Sequence, residues 1–498
     1  ATGTFEVGFA SGLISGTGSA MTVGFTETGS IGSEVSLIAN GITELTVNSF
    51  GGSNAVNLGN SQNDLVSISF GGTGDLYVSD IPTSVSGVEA TGFGGNLTLT
   101  VDTDTNTTLL ASGNTVNGGA GHDALRIMGS GIAAATTSSF EELIFDSTAS
   151  EAIVRATGMA NLNTLTFSGQ GTNTPSISGI GDQALTVNAI LATAGNQVAI
   201  TGTGTLTVNL NADPVSNVAA AVNGANAFDF KANTSGNVTI NVGPYTSASG
   251  TYNLNNADND VNVVLDANSV FSSNIKASGA QTVSITGSGK IDSEAGGGIS
   301  AQEATTINVE NGAATGDIVI SSSAIQTFTL TTAEDFTVTG RITGATTINV
   351  TTSGTADLSG LYHENLTAAT FAGSGAAAFG TYSGSGTNVA FTLTGLGDGG
   401  FSASEIHGKS GDVTISAENM SGSLVVNTSS ASGVTVTGPI NGQVTYSSIE
   451  ATNFTFDGSA SSASSGSLTI QSLSAGNNAT VSLGSNASGT TNISAAQA

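Results

Sequence analysis

The stretch Ala304-Thr305-Thr306-Ile307-Asn308-Val309 recurs without change at Ala345–Val350, 41 positions later. In both copies apolar and polar residues alternate, which is the pattern of a β-strand with one buried and one exposed face. Between the copies lie three more runs of this kind, at Asp317–Ile320, Thr327–Leu330 and Phe336–Thr339. Strands are therefore expected every 9 to 11 residues in this region.

The same formula, a glycine and a small polar residue followed by an alternating strand, occurs along most of the chain. Such strands follow Gly95, Gly204, Gly236, Gly411, Gly422, Gly433 and Gly466. A parallel β-solenoid and a string of antiparallel sandwiches both have this spacing. Aromatic residues make up only 5% of the chain and Trp is absent, which disfavours sandwich cores. We predict an all-β fold, mainly a parallel β-solenoid (β-helix), with β-sandwich segments as the alternative.

The composition limits the possible partners. The chain has 7 Lys and Arg against 36 Asp and Glu, and its net charge is −29. Nucleic acid is excluded as a partner, because phosphate binding needs clustered bases. No apolar run reaches the ~20 residues of a membrane span, so no transmembrane segment is expected. The absence of Cys favours an extracellular protein stabilised by hydrogen-bonded sheet and metal rather than by disulfides.

The segment Gly118–Arg126, with the sequence GGAGHDALR, fits the nonapeptide G-G-x-G-x-D-x-U-x at every fixed position. In parallel β-rolls this pattern makes a calcium-binding turn followed by a short strand. Glycines let backbone carbonyl groups turn inward, Asp123 adds a carboxylate, and Leu125 points into the core. Calcium takes several oxygen ligands of these kinds. The alternative is a Gly-rich turn before an ordinary strand.

Looser turns that combine Gly, Asn and Asp supply further candidate ligands for Ca²⁺. The full candidate set is Gly119, Gly121 and Asp123 in the nonapeptide, with Asp75, Asp64, Asp258, Asp260 and Asp398 in the looser turns. Asp102-Thr103-Asp104 opens like an EF-hand loop, but Thr107 replaces the required Gly and Gly113 replaces the bidentate Glu. This last segment is therefore a weak candidate.

An apolar residue, a Glu and a strand follow one another at several places. Phe140-Glu141-Glu142-Leu143-Ile144-Phe145 is the clearest case, and related segments contain Glu44, Glu89 and Glu450. The Glu is either a solvated acid at the corner of a coil or a contact to a metal or to a neighbouring coil. The sequence leaves both possibilities open.

These features together resemble the RTX-type (repeats-in-toxin) calcium-dependent surface-layer proteins of Gram-negative bacteria. The resemblance rests on the base-poor, Cys-free composition, on the nonapeptide at Gly118–Arg126, and on Phe140–Phe145, which is similar to a recurrent segment of that family. It implies secretion, calcium-driven folding outside the cell and assembly into a two-dimensional lattice, the S-layer. We expect a β domain with an RTX-like turn at 1–150, a β-solenoid at 151–372, and a β-solenoid or β-sandwich at 373–498.

The expected function is therefore that of a structural cell-surface protein, which pairs with copies of itself; a cell-surface polysaccharide is a candidate second partner. The alternatives are an extracellular adhesin or passenger stalk and, third, a β-helix polysaccharide-active enzyme. Catalysis is disfavoured because His122, His363 and His407 lack the H-E-x-x-H pattern of a zinc site. No G-x-S-x-G nucleophile elbow in a strand-turn-helix context is present either. We expect no enzymatic activity.

Overall fold

The structure is a computed structural model that describes most of the chain. The described residues are 4–7, 19–59, 64–133, 136–146, 153–157, 159–168, 176–191, 196–212, 228–255, 259–292, 298–311, 316–384, 388–397, 399–409, 411–418, 420, 422–437, 443–458, 467–470, 473–483 and 491–493.

Every pairing between two strands in these residues is parallel, and no helix occurs among them. Thr306 pairs with Thr327, and Thr327 pairs with Thr347, so the chain returns to the same position about every 20 residues. This return defines a parallel β-solenoid and confirms the predicted fold class. The described residues include no helix that is long and apolar enough to cross a membrane.

The chain divides into two compact units, Ala1–Val238 and Thr239–Ala498. The three-part division expected from the sequence stays a prediction. Each unit is described by itself below, and strands are numbered in chain order from β1 to β44.

Among the described residues, unit 1 contains three parallel sheets. The first consists of β1 (Thr4–Val7), β3 (Val35–Ala39), β5 (Asn54–Asn57), β7 (Leu76–Ser79), β9 (Leu97–Asp102), β11 (Ala124–Met128), β14 (Glu142–Asp146), β16 (Thr164–Ser168), β18 (Leu185–Leu191) and β20 (Leu206–Ala212). The second consists of β2 (Ala20–Thr26), β4 (Glu44–Phe50), β6 (Ser67–Gly72), β8 (Gly87–Phe93), β10 (Thr115–Asn117) and β13 (Thr136–Ser138). The third consists of β12 (Ile132–Ala133), β15 (Ile153–Arg155), β17 (Ser176–Ser178), β19 (Asn196–Thr203) and β21 (Phe228–Thr234).

Unit 2 contains two parallel sheets, and β22 (Val238–Val242) lies at the division between the units. The first sheet includes β24 (Asp260–Leu265), β26 (Thr282–Gly287), β29 (Thr306–Asn311), β31 (Thr327–Thr332), β33 (Thr347–Thr352), β35 (Ala368–Ala372), β37 (Val389–Thr394) and β39 (Asp412–Glu418). The second includes β23 (Ser247–Asn255), β25 (Val270–Ala277), β27 (Lys290–Ile291), β28 (Gly298–Ser300), β30 (Gly316–Ser322), β32 (Phe336–Ile342), β34 (Thr355–Tyr362), β36 (Ala376–Ser383) and β38 (Phe401–His407).

The strands at the end of unit 2 are longer. The first half of β40 (Leu424–Thr437) pairs with β38 and its second half pairs with β39, so one strand serves both sheets. After it come β41 (Gln443–Gly458), β42 (Ser467–Ile470), β43 (Leu473–Leu483) and β44 (Thr491–Ile493), again in parallel pairs.

The core is made by every second residue of each strand. In β33, Ile348 and Val350 are buried, whereas Thr347 and Asn349 are half-buried and Thr351 is exposed. Burying such a side chain contributes about 1.5 to 3 kcal/mol relative to exposing it. The repeated hexapeptide thus places its Ile and Val in the core of two coils, which β31 separates by one further coil.

A glycine in the left-handed region lies at several corners where consecutive coils touch. At Gly373 φ is +113°, and a Cβ placed there would lie 2.0 Å from the backbone oxygen of Thr352 in the preceding coil. The same arrangement recurs at Gly72, Gly287 and Gly340. No larger residue fits these corners without moving the coil below.

The set of sheets that form the coils of unit 1 changes at residues 124–138. Within one coil the strands β11, β12 and β13 follow each other; among the described residues, β13 is the last strand of the second sheet and β12 the first of the third. The turn that enters this coil, between β10 and β11, is the Gly118–Asp123 segment singled out by the sequence.

Candidate functional site

The glycines of the Gly118–Asp123 turn are required by the coil beneath it. Gly119 has φ +112°, and a Cβ there would lie 2.8 Å from the backbone oxygen of Ala90. A Cβ at Gly121 would lie 2.1 Å from the backbone oxygen of Gly95. Close packing against the preceding coil therefore accounts for both glycines, and no cation is needed to explain them.

Asp123 lies in the interior at the start of β11. Because Ala124 pairs with Thr98 of β9, Asp123 occupies the position that Leu97 holds one coil earlier. Its side chain is fully buried, and the backbone N–H of Leu97 donates to Oδ1 at 2.7 Å. The other carboxyl oxygen, Oδ2, is also buried and has no hydrogen-bond partner among the described residues. A buried carboxyl oxygen without a partner is costly, so it suggests a missing proton or ligand.

Glu141 approaches Asp123 from the following coil. Its backbone N–H donates to the Asp123 backbone oxygen at 3.0 Å, and the Asp123 N–H donates to Oε2 of Glu141 at 2.8 Å. This reciprocal contact brings two carboxylates from successive coils together. The contact between neighbouring coils, which the sequence left open for this Glu, is therefore present at Glu141.

Burial is the main reason that the pKa of Asp123 rises from 3.8 to about 6. The N–H of Leu97 lowers this pKa, the negative charge of Glu141 raises it, and His122 lowers it. Near neutral pH the ionised Asp123 is therefore held in an unfavourable environment. A proton or a bound cation would relieve it.

The oxygen atoms around Asp123 fit calcium in kind. Besides the two carboxylates, the backbone oxygen of Ser139 belongs to the same corner, because a Cβ at Gly118 would be 2.2 Å from it and 2.9 Å from the Asp123 Cβ. Calcium takes about six to eight oxygens, so water would have to complete the shell. The described residues contain no group of three or more His, Cys, Asp or Glu arranged to hold a metal.

Asp75 lies at the same corner of the solenoid as Asp123, but it does not belong to the same candidate cation site. Its Oδ1 accepts a hydrogen bond from the backbone N–H of Asn96 at 3.0 Å, and Oδ1 of Asn96 accepts one from the N–H of His122 at 2.8 Å. Asp75 is thus the first member of a column of side chains that join one coil to the next. It lies two coils away from Asp123 and is exposed, so the two do not share a cation site.

The other candidate ligands are dispersed. Asp64 is exposed in the turn before β6, and Asp260 begins β24 in unit 2. Asp258 and Asp398 lie outside the described residues. The weak candidate around Asp102 is an inter-coil contact, in which N–H and Oγ of Ser130 donate to Oδ1 of Asp104 at 3.0 and 3.1 Å.

A cleft of about 460 Å³ in unit 1 was not expected from the sequence. Its lining includes the acidic residues Asp80 and Asp102 together with Ile81, Pro82 and Met128. Asp80 is one of the few non-glycine residues with positive φ, at +51°, and Asn57 donates to its carboxylate. Nothing in the local sequence around Asp80 signals this cleft, because residues from several coils line it.

Two of the three histidines have opposite surroundings. His122 is exposed, whereas His363 is fully buried and neither of its ring nitrogens has a hydrogen-bond partner in the described ranges. The neighbouring Glu364 is engaged with the Tyr362 hydroxyl at 2.8 Å and with Arg341 at 3.2 Å. No described carboxylate is hydrogen-bonded to the His363 ring.

Comparisons with protein-family models, with curated proteins and with solved structures found no match to this chain.

Proposed function

We propose that this chain is a structural protein of the cell surface that assembles with copies of itself in the presence of calcium. The fold and the composition support the proposal. A parallel solenoid with a net charge of −29 has strong self-repulsion. Divalent cations would reduce that repulsion within one copy and between copies.

The observation that carries the proposal is the contact between the buried Asp123 and the half-buried Glu141. The two side chains come from successive coils, and Oδ2 of Asp123 has no partner in the described part of the chain. A calcium ion bound by Asp123 Oδ2, Glu141 and the Ser139 carbonyl would supply positive charge where two coils meet. Calcium would then link two coils, which disulfides cannot do in a chain that has no cysteine.

The test compares the purified protein in chelator with the same protein in millimolar calcium. We expect calcium to raise the thermal midpoint, since a ligand at a hundredfold excess over its Kd stabilises by about 2.7 kcal/mol per site. We also expect ordered assemblies in negative-stain micrographs with calcium and dispersed protein in chelator. Equal midpoints together with a monomer in both conditions would contradict the proposal.

A third result would favour the adhesin alternative. If calcium raises the midpoint but the protein stays monomeric at high concentration, calcium stabilises the fold without assembling it. Binding of that monomer to a cell-surface polysaccharide would then assign the chain as an adhesin or stalk.

A further inference from the structure

One surface of unit 2 differs from the rest of the chain in its side chains. It consists of two columns of outward-facing residues that are in register over eight consecutive strands of the first sheet, from β26 to the second half of β40. We name it the threonine face, and its residues are Thr282, Ser284, Thr306, Asn308, Thr327, Thr329, Thr347, Asn349, Ala368, Thr370, Ala390, Thr392, Thr414, Ser416, Thr435 and Thr437. None of these residues is charged.

The threonine face is also the most regular part of unit 2. Its strands pair from β26 through β40 without a single register shift. The second sheet, in contrast, has shifts between Thr337 and Thr339 and between Ala403 and Ile406. Equivalent outward residues on the threonine face therefore form straight columns with a spacing of ~4.8 Å from strand to strand.

Charge distinguishes the two sheets as well. The outward positions of the second sheet include Asp317, Arg341, Asp357 and Glu405. Beside the threonine face, the third outward position carries Glu310, next to Thr331, Thr351, Ala372 and Thr394, and Glu418 of β39 pairs with Thr394. At the other edge of the face, the exposed Asp412 precedes Thr414 on β39. These charges flank the threonine face and do not interrupt it. The uncharged surface is thus continuous over eight strands.

These properties favour a second copy of the same chain as the occupant of this face. Two copies of a protein with a net charge of −29 repel each other, and they meet at least electrostatic cost where neither copy carries charge. Thr, Ser, Asn and Ala side chains are short, so ordering them at a contact costs little conformational entropy. A matching neutral face on the partner is the complement that such a surface needs.

The area is sufficient for a specific contact. Eight strands at ~4.8 Å spacing, each presenting about five residues when the third outward position beside the face is included, give about 600 Å² per copy. Two copies would bury about 1,200 Å² in total, which is at the lower end of specific protein–protein interfaces. We propose that the threonine face is the surface through which two copies of this chain pack against each other; this rests on the proposed self-assembly.

The test places charge on the face and, as a control, on the opposite sheet. The face variants are Thr329→Glu with Thr370→Glu, and Thr329→Lys with Thr370→Lys. The control is Val319→Glu with Ser402→Glu, since both residues are exposed outward positions of the second sheet. The Lys variant lowers the net negative charge, so a loss of assembly in both face variants cannot come from added overall repulsion.

Sedimentation velocity and light scattering in millimolar calcium provide the readout, and thermal midpoints in chelator verify that each variant folds. We expect both face variants to associate at least tenfold more weakly than the wild type, while the control assembles normally. If the wild type and the face variants assemble equally well, the threonine face is not the interface and the proposed function stands. If the wild type stays monomeric with calcium, both proposals fail.

One further outcome would identify a different occupant. A monomeric wild type that binds cell-surface polysaccharide, with that binding lost in both face variants and kept in the control, would assign the threonine face to a glycan. That result would overturn the second copy as its partner.

Discussion

Asp123 and His363 are both fully buried ionisable side chains, and burial favours the neutral form of each. Asp123 has a neighbouring carboxylate and a free oxygen, which makes it a candidate ligand. His363 packs against two aromatic rings, with Phe379 at 4.5 Å and Tyr382 at 6.0 Å between ring centroids, and neither of its ring nitrogens has a hydrogen-bond partner among the described residues. The two residues therefore respond differently to cations and to pH.

Replacing Asp123 with Asn separates the effect of charge from that of shape. The folded-state pKa of about 6 exceeds the ordinary 3.8, so the ionised carboxyl lowers stability once the pH rises through this range. In chelator at pH 7.5 we expect Asp123→Asn to be more stable than the wild type by about 1 to 2 kcal/mol. In calcium the order should reverse, because the amide cannot supply a negative charge.

Urea unfolding with and without calcium measures both effects, and Asp75→Asn is the matched control at an exposed position of the same corner. An Asp123→Asn protein that gains as much from calcium as the wild type would remove Asp123 from the cation site.

We predict that acid destabilises the coil that contains His363. Burial lowers its pKa from 6.5 to about 4, so the unfolded chain binds the proton more readily than the folded chain. The stability due to neutral His363 is complete above pH 6.5 and is lost as the pH falls toward 4. The loss amounts to about 3 kcal/mol at the acid end.

We expect His363→Phe, which suits the aromatic surroundings, to reduce the stability difference between pH 7.5 and pH 4.5 by most of that amount. Chemical unfolding at the two pH values measures it. An unchanged pH dependence in His363→Phe would show that this ring is not the acid-sensitive group.

At the scale of strands and corners, the sequence located most of the elements. The strands expected after Gly95, Gly204 and Gly236 are β9, β20 and β22, and those expected between the two hexapeptides are β30, β31 and β32. Period-two alternation depends only on neighbouring residues, so it can be read directly. The expected strands after Gly422 and Gly433 form one continuous strand, β40, which alternation alone does not reveal.

The features that the sequence did not reveal depend on which coils are neighbours in the fold. The nonapeptide pointed to Asp123, but the contact of Asp123 with Glu141 requires the register between β11 and β14. The cleft at Asp80 and the isolation of His363 are likewise set by residues one or two coils away. The exchange of the second sheet for the third at β12 and β13 has no local sequence signal that we recognise.

The corner glycines provide a prediction about packing between coils. Gly373→Ala would place a methyl group 2.0 Å from the Thr352 oxygen at a φ of +113°, so the coils must separate there. We expect a loss of about 2 kcal/mol or more in urea unfolding. Gly92→Ala is the control, because no atom lies within 4 Å of its Cβ position, and it should change stability little. Equal effects of the two substitutions would contradict the steric explanation.

At the scale of the whole molecule, the net negative charge predicts how the stability of the fold responds to salt. The chain carries 36 acidic and 7 basic residues, and three of the bases, Arg126, Lys290 and Arg341, are already paired with carboxylates. In chelator we expect added sodium chloride to raise the thermal midpoint, because salt screens repulsion between exposed carboxylates.

At matched ionic strength, calcium should raise the midpoint further than magnesium, because magnesium gives up its water reluctantly. Thermal melts in sodium, magnesium and calcium chloride measure this order. If all three salts act equally at equal ionic strength, the cations act only by screening, and no specific site is needed.

The parallel pairing of each strand with one about 20 residues away has a consequence for how the molecule forms. In a chain of 498 residues, such contacts are close in sequence, although parallel sheets usually join distant segments. A coil offers its edge as a template to the next coil as soon as about 20 more residues are available. Folding can therefore propagate stepwise from any established coil, as in other repeat proteins, and it need not wait for the whole polypeptide.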